Sequence, residues 1–239
     1  MAGTAVLAMR CADEHEQVPA VAEGVRALLS GDRGVVLVSP GPLSDAVTLA
    51  IGTTRAGRRA VPVVAHILVD PADPAFAHLD GALDPAPLGI LETEAISSLL
   101  GSGFPVVVTG HVPVIPAVDT YQEVTAILDE AAAAQRLAGD LGAPVLIFVI
   151  GEGDSPASGE IDMAEAEALL ATEPALESEL RAAVRFLRAG GQLAVITTAL
   201  HAAAALDGTR DAEGAPTLRI HRQLARVRSE APALAAGWC

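Results

Sequence analysis

The sequence contains no lysine, and all 15 of its basic residues are arginine. No mechanism that uses a lysine ammonium group is therefore available to this chain. Because 30 residues are acidic, the formal net charge is −15. That charge argues against a nucleic-acid or anionic-membrane partner, since phosphate groups require a basic surface.

Cysteines and long apolar runs are also scarce. Cys11 and Cys239 are too few and too far apart to indicate a disulfide framework or a zinc site. Residues 1–9 lack the basic flank and long apolar stretch of a signal peptide, and no apolar run approaches the about 20 residues of a membrane span. We therefore expect a soluble, cytoplasmic protein with reduced thiols and no membrane partner.

Histidines with the spacing of metal ligands are absent as well. The six histidines form no His-x-His or His-x-x-x-His pair, so the sequence predicts no metal site at a histidine motif.

The chain is rich in small aliphatic residues: hydrophobic residues make up 51% of it, but aromatic residues only 3%. Short apolar runs alternate with segments of helical spacing, which predicts an α/β protein with crossover helices. The predicted strands cover residues 5–9, 35–38, 60–68, 105–109, 124–128, 145–150, 192–197 and, as an edge strand, 217–220. The predicted helices cover residues 18–30, 43–56, 92–100, 129–141, 161–171, 176–189 and 201–206.

Three stretches of sequence resemble the carbamate kinases of the amino-acid kinase superfamily. Residues 69–76 read Val-Asp-Pro-Ala-Asp-Pro-Ala-Phe, an unusual string that is similar to a loop signature of that family. Residues 85–96 match the spacing of its Pro-x-Pro-x-x-Ile-x-Glu-x-x-Ala-Ile pattern, and residues 182–191 resemble its final helix and turn. The similarity extends over most of the chain, from about Ala5 to Ile220.

This resemblance implies a three-layer α/β/α sandwich with a mainly parallel sheet. It also implies one domain over residues 1–220, with a carbamate-side lobe (1–120) and a nucleotide-side lobe (121–220), followed by a tail (221–239). The family has a protruding subdomain between the Asp-Pro loop and the proline pattern. Only seven residues separate Phe76 from Asp84 here, so we expect that subdomain to be missing. Family members are dimers, and we expect a homodimer or an association with another protein subunit.

This sequence has lost most glycines of the family's glycine-rich loops. Its Gly-Gly-Asn after the first strand corresponds to residues 10–12, Arg-Cys-Ala. Its second loop keeps a Gly-Pro pair at Gly41, after Ser39, and its third keeps only Gly110, which His111 follows. Bulky residues and prolines remove the N–H donors that such loops present to phosphates.

Both lysine motifs of the family are changed as well. The Ile-Asp-Lys-Asp motif aligns with residues 128–131, which keep Asp129 but place Glu130 at the lysine. The Gly-Ser-Met-Gly-Pro-Lys motif aligns with residues 174–179, which place Glu179 at the second lysine. One such contact with a phosphate at 4 Å is worth roughly 4 kcal/mol at an effective dielectric constant near 20. We therefore expect that ATP is not bound in the manner of the family and that no cofactor is used; ATP and Mg²⁺ apply only if kinase activity remains.

Two hypotheses follow from these changes. In the first, the chain is a degenerate carbamate kinase homologue that acts as a non-catalytic binding or structural subunit. In the second, it is a repurposed enzyme acting on carbamate, carbamoyl phosphate or a related acyl compound. The candidate catalytic residues would be Asp129, Glu130, Glu179 and His111, and the candidate ligand-binding residues are Ser39, Gly41, Asp70, Asp73 and Gly110. The three carboxylates are either a site for a cation or an amine, or a solvated acidic cleft.

The C-terminal region is basic in an otherwise acidic chain. Its arginines are either a solvated surface or an arm that contacts an acidic surface of a sister subunit, with Trp238 as an anchor. They are Arg210, Arg219, Arg222, Arg226 and Arg228.

Overall fold

The computed structural model describes residues 2–10, 18–29, 33–39, 43–52, 57–69, 90, 92–109, 112–116, 126–151, 158–199, 201–202, 204 and 217–222. Eleven strands, six α-helices and a 3₁₀ helix (Pro174–Leu176) lie in these ranges. The strands are β1 (Ala2–Met9), β2 (Arg33–Ser39), β3 (Val61–Val63), β4 (Ile67–Val69), β5 (Val106–Thr109), β6 (Val112–Pro116), β7 (Ala126–Leu128), β8 (Val145–Ile150), β9 (Gly159–Asp162), β10 (Leu193–Thr198) and β11 (Thr217–His221). The helices are α1 (Val18–Leu29), α2 (Ser44–Ile51), α3 (Thr93–Gly101), α4 (Glu130–Asp140), α5 (Met163–Leu169) and α6 (Glu177–Arg188).

Eight strands form one sheet in the order β3-β5-β2-β1-β8-β10-β11-β9. The first six strands in this order run parallel to one another, whereas β11 is antiparallel to β10 and β9 is parallel to β11. A second sheet has the order β4-β6-β7. The predicted α/β class and mainly parallel sheet are therefore confirmed.

Alternate residues of the central strands face opposite layers of helices. Leu7, Leu37 and Ile147 belong to the buried cluster that contains apolar residues of α1 and α2. Their neighbours Val6 and Phe148 belong to the cluster that contains residues of α3, α4, α5 and α6. Because a strand places successive side chains on opposite faces, continuous apolar runs are what a sheet covered on both faces requires. The three layers follow from this pattern.

The single strand predicted over residues 60–68 is wrong, since the segment forms two strands in different sheets. β3 pairs with β5, and β4 pairs with β6. Between them, the backbone N–H of His66 donates to Glu92 Oε2 at 2.7 Å, and Ala65 is buried. The bend, residues 64–66, contains one polar residue, His66, and no glycine or proline, so the signal in the sequence was too weak to divide the apolar run.

Three further boundaries differ from the predictions. Strand β6 was not predicted, and β9 occupies the start of the helix predicted over 161–171. That helix begins after Asp162, whose side chain caps it in a reciprocal capping box with Glu165. The segment predicted as an edge strand, β11, is an interior strand between β10 and β9.

The end of α6 agrees with the glycine pair predicted to close it. Gly190 has a φ of +110°, a value that favours glycine. At Gly191, a Cβ atom would lie 2.4 Å from the ring of Phe186, so the turn packs directly on the last buried aromatic ring of the helix.

Within the described ranges, no helix is both long enough and apolar enough to cross a membrane. The protruding subdomain would fall at residues 77–83, outside the described residues, and its absence stays a prediction.

Candidate functional site

A small cleft lies where the carboxyl end of β1 meets the first turns of α4 and α6. Its volume is about 100 Å³. Ligand pockets for drug-sized molecules measure roughly 300–1,000 Å³, so this part of the site has room for a few heavy atoms only. The residues that line it are Ala8, Arg10, Asp129, Glu130, Ala131, Phe148, Ser178 and Glu179.

Asp129 joins the two helices. It is the N-cap residue of α4, where its Oδ1 accepts a hydrogen bond from the backbone N–H of Ala132 at 2.7 Å. Its Oδ2 accepts a hydrogen bond from Ser178 Oγ, on the first turn of α6, at 2.6 Å. Oδ1 thus caps α4 itself, and Oδ2 links the N-terminus of α4 to that of α6.

Glu179 is buried on the inner side of α6, with 1% of its side chain exposed. Nη1 of Arg10, at the end of β1, donates to Oε1 and Oε2 of Glu179 at 3.0 Å each. The same nitrogen lies 2.7 Å from the carbonyl oxygen of Ala175, which fixes the guanidinium between the strand and the helix. A charge-assisted ion pair therefore fills the space between β1 and α6.

The pKa of Glu179 is raised above its usual value, chiefly because burial penalises the charged form. A hydrogen bond from its own backbone N–H and the guanidinium of Arg10 act in the opposite direction, and the nearby Asp129 raises the pKa further. Contact of both oxygens with one guanidinium favours the ionised form and so offsets part of the desolvation penalty. The rest of the penalty leaves the pKa raised.

The structure brings together three of the four predicted catalytic residues. Asp129, Glu130 and Glu179 all line the cleft. His111 lies outside the described residues, as do four of the predicted ligand-binding residues, Gly41, Asp70, Asp73 and Gly110. The roles predicted for these five residues stay predictions.

Ser39, the remaining ligand-binding candidate, lies at the carboxyl end of β2 and is fully buried. Its Oγ has no hydrogen-bond partner within the described part of the chain. It is not among the residues that line the cleft.

The sequence interpretation gave Arg10 too small a role. No motif pointed to Arg10, because it aligns with no lysine of the family. The available signal was the position of Arg10 directly after a central parallel strand, since ligand sites of α/β sheets lie at the carboxyl ends of such strands.

The carboxylates do not form a metal centre in the described residues. No group of three or more His, Cys, Asp or Glu side chains within these ranges is placed to hold a metal ion. The carboxylates of Asp129 and Glu179 are hydrogen-bonded to protein groups, Asp129 to Ala132 and Ser178, and Glu179 to Arg10.

Comparison with known proteins supports the resemblance to carbamate kinases. The chain is 33% identical to the carbamate kinase of Halobacterium salinarum over 139 residues, which cover 52% of this chain and 45% of that enzyme. The match thus spans less than half the length of that curated relative. No protein-family model matches the chain.

Solved structures show the same fold at lower identity. The Giardia lamblia carbamate kinase bound to AMP-PNP superposes with a TM-score of 0.68 at 20% identity, over 93% of this chain and 99% of that chain. The N-acetylglutamate synthase of Neisseria gonorrhoeae, complexed with coenzyme A and N-acetyl-glutamate, gives a TM-score of 0.61 at 17% identity, over 94% of this chain and 61% of that chain. The chain therefore has the amino-acid kinase fold, and the second neighbour shows that this fold is not limited to proteins named as kinases.

Proposed function

We propose that this chain has lost ATP-dependent phosphoryl transfer and acts as a non-catalytic binding or structural subunit. The observation that carries the proposal is the Arg10–Glu179 ion pair. It places a buried carboxylate at the first turn of α6, where the resemblance to carbamate kinases implies a lysine.

Charge supports the same conclusion. Phosphoryl-transfer sites concentrate positive charge on the transferred group, through lysine, arginine or Mg²⁺. Here Asp129, Glu130 and Glu179 line the cleft together with one arginine, so the formal charge of these four side chains is −2 when all are ionised. An incoming triphosphate would meet net repulsion rather than attraction.

Space supports it too. The described part of the cleft, between Arg10 and the two helix N-termini, has a volume of about 100 Å³, which leaves room for a few heavy atoms only. The intact sheet and both helical layers show that the fold is nevertheless well packed, as expected of a subunit selected for binding or structure.

Calorimetric titration with Mg-ATP, Mg-ADP and carbamoyl phosphate tests the proposal, with the Halobacterium salinarum carbamate kinase as the positive control. We expect heat of binding from the control and none from this chain. Binding of either nucleotide in the micromolar range would refute the proposal. Binding of carbamoyl phosphate alone would favour the alternative, a repurposed enzyme acting on carbamate or a related acyl compound.

A further inference from the structure

The first turn of α6 has the features of an anion-binding helix terminus. The N-cap residue, Leu176, provides no side-chain hydrogen bond. The backbone N–H of Glu177 donates to the carbonyl of Pro174 in the preceding 3₁₀ turn, and the N–H groups that follow need other acceptors. The helix has 12 residues, long enough for its positive N-terminal end to attract negative charge. Glu179 supplies that charge, because it is the third residue of α6 and its carboxylate is buried at this end of the helix.

Arg10 completes the surroundings of this carboxylate from the opposite side. Its Nη1 lies 3.0 Å from each oxygen of Glu179 and is held in place by the carbonyl of Ala175. The carboxylate is thus enclosed by a guanidinium and a helix N-terminus, which are the two groups that proteins commonly use to bind small oxyanions.

We propose that the Glu179 carboxylate is a built-in occupant of a small-anion site formed by Arg10 and the first turn of α6, and that it prevents external anions from binding there. This autoinhibitory contact deepens the proposed function and rests on it, because it identifies the group that keeps a substrate anion from the cleft. Removal of the carboxylate alone should open the site to an anion of the same charge and size.

The remaining groups of the cleft restrict which anion can replace it. Asp129 and Glu130 line the same space and repel additional negative charge. The site therefore suits a small carboxylate with a single negative charge, such as formate, and disfavours phosphate with two. The volume of about 100 Å³ next to Glu179 excludes a long carboxylate such as gluconate.

The test is the melting temperature of Glu179→Ala in sodium formate and in sodium gluconate at equal ionic strength. Formate at ten times its dissociation constant should raise the melting temperature by about 3–5 °C over gluconate. The wild-type chain should show no such difference. Two control variants should also melt at the same temperature in both salts. Glu177→Ala removes an exposed carboxylate from the same helical turn, and the double variant Arg10→Met/Glu179→Ala lacks the guanidinium.

If Glu179→Ala does not fold in gluconate, the yield of folded protein in formate is the measurement, and formate-dependent folding supports the proposal. An equal response to both salts would overturn the proposal, since Arg10 would then find its partner in Asp129 or Glu130. The same response to formate in the double variant would overturn it as well, since the response would then not depend on the guanidinium. Nucleotide binding by the wild-type chain would refute the proposed function without changing the anion response. The two failures are therefore distinguishable.

Discussion

Two glutamates in the first turn of α6 each pair with an arginine, but the two pairs differ in solvent exposure and in sequence separation. Glu177 pairs with Arg181 on the same helix, and the two side chains are 52% and 49% exposed. Glu179 pairs with Arg10, 169 residues away in the sequence, and is 1% exposed. The first pair lies within one exposed helix, whereas the second connects β1, in the middle of the sheet, to α6 and lies in the cleft.

The comparison teaches that residue type alone does not identify a functional charge. Exposed pairs at i and i+4 contribute only about 0.3–0.5 kcal/mol, because water screens them and long side chains lose entropy. A buried carboxylate requires a fixed partner, and removing that partner from a buried pair costs roughly 3–5 kcal/mol. Of the two pairs, only the one made by Glu179 lies in the cleft, so only that pair bears on the proposed loss of phosphoryl transfer.

The largest effect should come from Arg10→Met, which keeps most of the apolar stem but removes the charge. It leaves the buried Glu179 carboxylate without its guanidinium. We expect a loss of about 2–4 kcal/mol in the free energy of unfolding, below the full range for buried pairs because Arg10 is 39% exposed. Urea denaturation measures it, with Arg181→Met as the matched control. Similar losses in the two variants would remove the distinction between the pairs.

Asp129→Ala should have the next largest effect. It removes the N-cap of α4 and the hydrogen bond to Ser178, so we expect a loss of about 1–2 kcal/mol. Asp162→Ala is the control, since Asp162 caps α5 and does not line the cleft. An equal loss in stability from both variants would show that Asp129 does no more than cap its helix.

The pH dependence of stability should distinguish the buried carboxylate from its neighbours. Because the pKa of Glu179 is raised in the folded state, the folded chain holds this proton more tightly than the unfolded chain. Lowering the pH through the folded-state pKa toward the ordinary value of 4.5 should therefore stabilise the wild type relative to Glu179→Gln. Denaturation of both proteins at several pH values measures this, and a parallel dependence would contradict it.

The smallest effect should come from Glu177→Gln, which breaks the exposed pair with Arg181. We expect a change of at most about 0.5 kcal/mol, lost at high salt. The free energies of unfolding at low and high salt measure it. A loss above 1 kcal/mol would show that the exposed pair also matters and would weaken the comparison.

The sequence predicted the central sheet well because its strands are covered on both faces and therefore read as unbroken apolar runs. Strand β8 was predicted with its observed bounds. It predicted the peripheral strands poorly, since β3 and β4 are three residues each and are separated by a bend with only one polar residue, His66. Short strands whose partners are distant in sequence carry little local pattern.

The candidate site was predicted in part. The two motif positions brought Asp129, Glu130 and Glu179 to one cleft, as expected from helix N-termini that converge at one edge of a parallel sheet. The partner of Glu179 could not be read from the sequence, because the contact joins residues at opposite ends of the chain and involves an arginine that matches no motif. The capping box of Asp162 and Glu165 can be recognised in the sequence, and it predicts the correct start of α5.

The most direct test of the account is a phosphoryl-transfer assay in which the chain is incubated with carbamoyl phosphate, ADP and Mg²⁺ and the formation of ATP is followed. The Halobacterium salinarum carbamate kinase, assayed in parallel, shows that the conditions support the reaction. The account predicts no ATP above the rate without protein. Formation of ATP that depends on the protein would contradict it. Loss of that activity in Arg10→Met would further show that Arg10 acts on phosphate rather than holding Glu179.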